Sequence, residues 1–324
     1  MKKGMVYIKN LMEVLILPIA LLAVFAVATN GAFINSRILM TALRQSVMGT
    51  IVCLGLTLNL NMGMMNFAGG ASMICGAVIG GNLAMATGSG VPGLIFFCLI
   101  IGVGLMTIQG GLYNAFRVPC VVLSLGLTMV YEAVPRIFYP EGCTLPIDMT
   151  KLALSPYCFI IMIVMCVAFY IITEYTVWGH NMKAIGENPA IAMGAGLNID
   201  KVKLMSFILT GVFFSIGALM YVSKGSVDNV AAMGSMPVQM ESFTGMFLGK
   251  FLGKNVNKAI SVPVGVFSMK LLASGLTIVG LNSNMQTIIQ GTILLVLLSY
   301  AANTGLIDKI KADREFAKMA RARA

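Results

Sequence analysis

Charge is the property that this chain has least of. Only 10% of its 324 residues are charged, whereas 58% are hydrophobic, and the mean hydropathy is +0.90. A soluble domain carries about 25% charged residues, because its surface has to stay hydrated. The composition therefore excludes a water-soluble globular protein and indicates a protein whose main solvent is lipid.

Residues that build metal centres, disulfide frameworks and catalytic sites are also scarce. The chain has one histidine, His180, no CxxC pair, and only one cysteine outside an apolar run, Cys143. It lacks the G-x-S-x-G and H-E-x-x-H motifs. Its nearest approach to a phosphate-binding loop begins at Gly245, but that segment is too short and has no serine or threonine to hold magnesium. We therefore expect no enzyme, no metal and no cofactor, and any ATP would be bound by a partner subunit.

Long apolar runs fill most of the sequence. A membrane-spanning helix needs about 20 predominantly apolar residues, and ten stretches approach that length, although the eighth is short. They lie near 13–29, 45–62, 67–87, 92–112, 119–138, 157–176, 204–223, 237–251, 260–280 and 286–303. The sequence predicts an all-α, polytopic transmembrane helical bundle of about ten spans in the cell membrane. Its boundary near 59–67 is soft, so spans two and three could form a bent or re-entrant pair.

The basic residues test this arrangement, because connectors on the cytoplasmic side of a membrane are enriched in lysine and arginine. With both termini cytoplasmic, 16 of the 22 basic residues lie inside, 5 lie outside, and Lys270 lies within a span. The net charge of +10 therefore reflects topology, and we expect membrane lipid, not nucleic acid, as a partner. The transmembrane domain covers residues 1–306, and a basic cytoplasmic tail covers residues 307–324.

The inner connector, residues 177–203, is the most informative polar segment. Pro189 suits the first turn of a short helix over 190–195, with Asn188 as its N-cap. A short helix held parallel to the membrane between two spans has a shape that a peripheral protein partner can bind. An ordinary interfacial loop fits the spacing equally well.

Polar side chains within the spans form a second candidate site, since lipid offers them no hydrogen-bond partner. They face either a hydrophilic path through the bundle or a neighbouring helix. For any single residue, hydrogen bonding between helices is the simpler interpretation, whereas the set as a whole favours some lining of a pathway. The candidates for pathway lining are Asn59, Asn61, Asn66, Gln109, Gln239, Glu241 and Lys270.

The inner connector also carries a family resemblance. Residues 184–203 read AIGENPAIAMGAGLNIDKVK and resemble the cytoplasmic loop of the permease subunits of ribose- and galactoside-type sugar importers. Residues 58–63 (LNLNMG) and 275–286 (GLTIVGLNSNMQ) are similar to two further elements of that family. Residues 65–70 (MNFAGG) also resemble an element of branched-chain amino-acid permeases, a sister branch of the same superfamily.

The resemblance implies the transmembrane permease subunit of an ATP-binding-cassette importer. Its solute would be a sugar or similar small polar molecule, with nucleosides and branched-chain amino acids as alternatives. Its partners would be a separate ATPase subunit, an extracytoplasmic solute-binding protein and a second permease subunit, identical or not. In that family the loop docks on the ATPase subunit. The corresponding coupling-loop residues here are Ala184, Gly186, Glu187, Asn188, Pro189, Ala192, Gly196 and Asn198.

Two other classes of function stay open from the residues alone. An ion- or proton-coupled carrier needs ionisable relay groups within its spans, and Glu241 and Lys270 are the candidates. An integral membrane enzyme needs a catalytic cluster, and the motifs that would indicate one are missing from the sequence.

Overall fold

A computed structural model describes residues 2–253, 256–282, 284–296 and 299. This part of the chain is almost entirely helical. In chain order its helices are α1 (Lys2–Ala28), α2 (Ser36–Leu60), α3 (Gly69–Ala86), α4 (Gly90–Phe116), α5 (Cys120–Phe138), α6 (Tyr157–Tyr175), α7 (Val177–Glu187), α8 (Pro189–Gly194), α9 (Ile199–Val222), α10 (Met236–Leu252), α11 (Lys258–Ile278) and α12 (284–296). A short 3-10 helix (Ile147–Ala153) and an antiparallel ribbon of β1 (Cys143–Thr144) and β2 (Ser226–Val227) lie in the connectors.

Seven of the described helices are long and apolar enough to cross a membrane, namely α2, α3, α4, α5, α6, α9 and α11. The prediction of an all-α bundle with many spans is confirmed. Helix α1 contributes a shorter apolar stretch, Val14–Ala28, and α10 has 17 residues. The tenth predicted span, 286–303, lies partly outside the described residues, and the tail at 307–324 lies wholly outside them. The total of ten spans and the cytoplasmic termini stay predictions.

Small residues let the central helices approach one another closely. Residues Ser72, Gly76, Gly80 and Ala84 form the small-residue face of α3, and all four are buried. A Cβ added at Gly80 would lie 3.0 Å from the backbone nitrogen of Cys98 in α4. This face therefore serves close helix packing.

Helices α10 and α11 cross equally closely at a second set of glycines. A Cβ added at Gly265 would lie 2.7 Å from the carbonyl oxygen of Gly245 and 2.7 Å from the Cα of Gly249. At this crossing, backbone rests on backbone. A side chain of any size would force the two helices apart.

The outer faces of α4, α5 and α6 show that the solvent around them is apolar. Phe96, Val130, Ile163 and Val164 are each more than half exposed on these helices. Large aliphatic and aromatic groups placed together on an outer surface match the hydrocarbon of a bilayer, because exposure to lipid does not destabilise apolar side chains.

Two interruptions of the helices position the candidate site. Residues 61–68, between α2 and α3, are non-helical, and we call them the α2–α3 break. Residues 228–235 lead from the β-ribbon to the start of α10 and are also outside any helix. The first interruption lies where the sequence predicted a soft boundary. Both bring unpaired backbone groups into the bundle, where the protein has to supply their partners.

Candidate functional site

The inner connector folds into two short helices whose caps are encoded locally. The Asn188 side-chain oxygen accepts hydrogen bonds from the backbone N–H groups of Ala190 at 3.0 Å and Ile191 at 3.2 Å. Pro189 occupies the first turn of α8, where its missing N–H leaves no bond unmade. Asn198 caps α9 in the same way through the N–H of Lys201. The predicted helix and its N-cap are confirmed.

Helix α8 presents apolar side chains in two directions. Ala192 is 4% exposed and faces inward, whereas Ile191 is 71% exposed and Met193 is 63% exposed. A cavity of about 500 Å³ lies beside Met193 and is lined also by Arg117 and Lys203. Exposed apolar groups next to basic groups form a surface suited to a protein partner.

The buried side of the connector packs on the α2–α3 break. One apolar cluster contains Met62 and Met64 of the break together with residues of α5, α7, α8 and α9. Its members are Met62, Met64, Cys120, Met182, Ile185, Ala192, Val202 and Phe207. The connector and the break therefore share one small core at the end of the bundle.

The tightest contact in this region joins Gly186 of α7 to Asn61. A Cβ added at Gly186 would overlap the carbonyl oxygen of Asn61 and lie 2.9 Å from its carbonyl carbon. Only glycine permits the helix to rest on that peptide group. The Asn61 side chain in turn accepts a hydrogen bond from the Lys258 ammonium group at the start of α11.

Glu174, at the end of α6, adds a polar junction to the same end of the bundle. Its carboxylate pairs with Lys183 of α7 at 2.8 Å and accepts a hydrogen bond from the Asn257 side chain at 3.0 Å. Glu174 and Lys183 are more than a third exposed, so the ion pair contributes only about 0–1 kcal/mol. Its effect is geometric, because it ties α7 to α6 and to the α10–α11 connector.

Asn66 is the centre of a buried network of hydrogen bonds that supplies partners to the backbone groups of the α2–α3 break. Its side-chain oxygen accepts hydrogen bonds from Gln109 of α4 and from the backbone N–H of Ala68, both at 2.9 Å. Ser124 and Thr128 of α5 bond the backbone of Phe67. Each such bond in a membrane protein is worth about 0.6 kcal/mol. Together they replace the helical bonds that the break lacks.

Gln239 of α10 links this network to the start of α3. Its side-chain oxygen accepts from the backbone N–H of Gly70 at 2.6 Å, and its amide group donates to the carbonyl oxygen of Asn66 at 3.1 Å. Gln109 lies seven residues before the end of α4, which is about 10 Å at 1.5 Å per residue. The network is therefore well inside the bundle.

Glu132 of α5 is a further buried polar residue, and it contacts the start of α10. It is 2% exposed, and one carboxylate oxygen accepts from the backbone N–H of Ser235 at 2.8 Å. Asn59 lies apart from this network, since its side-chain oxygen accepts hydrogen bonds from Ser206 and Thr210 of α9. Asn59 thus joins α2 to the helix that follows the inner connector.

Glu241 and Lys270 occupy a different environment. They form an ion pair between α10 and α11 in which the Lys270 side chain is 14% exposed and that of Glu241 is 29% exposed. Glu241 lines a cavity of about 640 Å³ between α10, α11 and α12. The polar groups of its wall are Glu241, Thr244, Gln286, Thr287 and Gln290.

The seven residues predicted to line a pathway thus fall into three groups. Asn66, Gln109 and Gln239 form the network at the break, Asn59 and Asn61 join α2 to other helices, and Glu241 and Lys270 form the ion pair at the cavity. Glu132 was visible in the sequence as a polar residue of the fifth span, but neither it nor Lys258 was among the pathway candidates. A carboxylate in an apolar run was the available signal for Glu132, but its partner is a backbone group that no side-chain pattern reveals.

Comparisons with known proteins identify the family. The profile described as branched-chain amino acid transport system, permease component, matches residues 38–298. The chain belongs to this family and is a multi-pass membrane permease component of the ATP-binding-cassette importer class. The resemblance seen in the inner connector is confirmed at this level.

Relatives within the class are distant but extensive. The autoinducer 2 import system permease protein LsrC of Photorhabdus luminescens is 22% identical over 80% of this chain and 78% of its own length. The fructose import permease protein FrcC of Rhizobium meliloti is 22% identical over 88% of this chain and 83% of its own length. The probable ABC transporter permease protein YphD of Escherichia coli (strain K12) is 26% identical over 56% of each chain. No solved structure is significantly similar to this chain.

Proposed function

We propose that this permease component moves a sugar or similar small polar solute into the cytoplasm, with energy from ATP bound by a separate subunit. The printed names of the relatives, autoinducer 2 and fructose import permeases, support a solute of this class. The permease domain would cover residues 1–306, with 177–203 as its coupling loop and 307–324 as a cytoplasmic tail. In this scheme α1, α10 and α12 join the seven long helices, which gives ten spans and cytoplasmic termini.

The observation that carries the proposal is the surface of α8. Ile191 and Met193 point away from the bundle while Ala192 anchors the helix to it. Water does not stabilise two large apolar side chains on a polar connector, whereas a groove on a partner protein does. An ATPase subunit docked there would act on residues 184–198, the coupling-loop positions named above.

The cavity beside Glu241 supports a hydrophilic path. Its wall offers carboxylate, hydroxyl and amide groups, which both donate and accept hydrogen bonds and so match a polyhydroxy solute. The Lys270 partner makes the pair neutral overall, an arrangement better suited to an uncharged solute than to a free ion. A second permease subunit would close the path on its open side, and a solute-binding protein would deliver the solute from outside.

The test uses the intact complex purified from its native membrane in mild detergent. Wild-type permease should retain a stoichiometric ATPase subunit, identified by mass spectrometry. The double change Ile191→Glu and Met193→Glu should remove that subunit while membrane insertion is kept. The matched control is the double change Ile147→Glu and Leu154→Glu in the connector at the opposite end of the bundle, which also adds two negative charges at exposed apolar residues.

The outcomes separate the alternatives. Loss of the ATPase from the α8 variant but not from the control supports docking on α8. Retention of the ATPase by both variants contradicts docking there. A wild-type preparation without any ATPase would contradict the importer itself and favour a carrier that runs on an ion gradient.

A further inference from the structure

We propose that the α2–α3 break transmits movement of the inner connector to α10, with Gly186 and Asn61 as its input contact and Asn66 and Gln239 as its output contact. The inference rests on the proposed function, because it assumes that a motor subunit moves the connector. Gly186, Asn61 and Gln239 would then be positioning residues for transport. They would act on the solute path through the helices that they hold.

The input contact is rigid because it involves no flexible side chain. The Cα of Gly186 rests on the peptide group of Asn61, so a Cβ at that position would overlap the carbonyl oxygen. Met62, Met64, Met182 and Ile185, which flank the two residues in sequence, form an apolar cluster that holds α7 against the break, whereas Gly186 itself is exposed. A displacement of α7 therefore has to displace the start of the break as well.

The break itself is suited to transmit such a displacement. It contains no helical hydrogen bonds of its own between 64 and 68, and side chains of α4, α5 and α10 hold it in place. Gly63 has a φ of +72°, a conformation that only glycine adopts readily, and this gives the chain its turn after α2. A segment held by a few side-chain bonds changes its arrangement more easily than a continuous helix does.

The output contact leads directly to the cavity. Gln239 bonds both the carbonyl oxygen of Asn66 and the N–H of Gly70, so the start of α10 follows the break and the start of α3. Glu241 lies two residues further along α10 and lines the cavity. Movement entering at Gly186 would thus reach the cavity wall through Asn61, Asn66 and Gln239.

The test is the number of solute molecules imported per ATP hydrolysed by the reconstituted complex. Gly186→Ala should keep the ATPase subunit and its hydrolysis but lower import per ATP about tenfold. Gly111→Ala is the matched control, because it adds the same methyl group to a helix at a position with no atom within 4 Å. That variant should import like the wild type.

A second pair of variants tests the transmission without adding bulk. Lys258→Met removes the hydrogen bond to Asn61 and should lower import per ATP about threefold. Lys258→Arg keeps a donor at this position and should restore most of the loss. A merely structural role would lower the yield of complex in Lys258→Met and leave import per ATP unchanged.

The result that would overturn the proposal is unchanged import per ATP in Gly186→Ala. Loss of the ATPase subunit from that variant would also overturn it, since the contact would then serve assembly and not transmission. Absence of an ATPase from the wild-type complex is a different outcome. It would contradict the proposed function before the transmission is tested.

Discussion

Glu132 of α5 caps α10, a helix that begins inside the bundle, by accepting a hydrogen bond at 2.8 Å from the backbone N–H of Ser235. Ser235 makes no side-chain cap of its own, so the cap comes from a different helix. A carboxylate is favoured at this position because the first N–H groups of a helix carry partial positive charge. The contact fixes where α10 starts, and Met236 and Pro237 at that start line the cavity.

Removal of the acceptor should destabilise the protein. Glu132→Leu leaves the buried N–H of Ser235 without a partner and should lower the free energy of unfolding by about 1–3 kcal/mol. Glu132→Gln keeps an oxygen in place and should cost less. Thermal unfolding in detergent measures both, and equal midpoints for Gln and Leu would show that the hydrogen bond is not the stabilising contact.

The Glu241–Lys270 pair should behave as a unit. Glu241→Met and Lys270→Met each leave one charge unpaired between α10 and α11, whereas the double variant leaves none. We expect the double variant to be more stable than the sum of the single effects predicts, by about 1 kcal/mol for a partly exposed pair. A double-mutant cycle of unfolding midpoints measures this, and strictly additive effects would contradict the coupling.

The glycine crossing of α10 and α11 should not tolerate side chains. Gly265→Val places two methyl groups against the backbone of Gly245 and Gly249 and should destabilise the protein by about 1–3 kcal/mol. Gly111→Val is the control for the change in helix propensity alone, since space is open there. If both variants unfold at the same temperature, the crossing is looser than this structure describes.

Cys143 should react slowly with maleimides. It lies in the β-ribbon, and burial raises the pKa of its thiol from an ordinary value of 9.0 to about 11. Because the thiolate is the reactive form, labelling by a membrane-impermeant maleimide should be slow at pH 8 and rise about tenfold per pH unit towards pH 11. Measurement of the labelling rate against pH, with and without denaturant, tests this.

The matched control for that experiment is Thr144→Cys in a Cys143→Ser background. Thr144 is the exposed neighbour of Cys143 on β1, so its thiol should react fast at pH 8. In the ten-span topology it faces the outside of the cell. Labelling in inside-out vesicles but not in right-side-out vesicles would therefore reverse the proposed orientation.

The local features of the inner connector were predictable because they depend on neighbouring residues only. Asn188 and Pro189 define the start of α8 through bonds within three residues. The apolar runs likewise predict helices, since each run has to satisfy its own backbone in lipid. The soft boundary near 59–67 was visible because glycine and asparagines interrupt an apolar pattern.

The partners of the buried polar residues could not be predicted in the same way. Asn66 meets Gln109 and Gln239 across 43 and 173 residues of chain. Gly186 meets the carbonyl oxygen of Asn61, a group that every residue carries and that leaves no trace in the sequence. A polar side chain within a span shows only that some partner is needed.

The sequence by itself therefore determined the solvent, the helical class, the family resemblance in the inner connector and the cap of α8. Only the tertiary structure decided which helices pack against one another, that Glu132 caps α10, and that the connector rests on the α2–α3 break. The physical reason is the separation along the chain over which each interaction acts. Hydrophobicity and capping act within a few residues of chain, whereas close packing and buried hydrogen bonds depend on which distant segments the fold brings together.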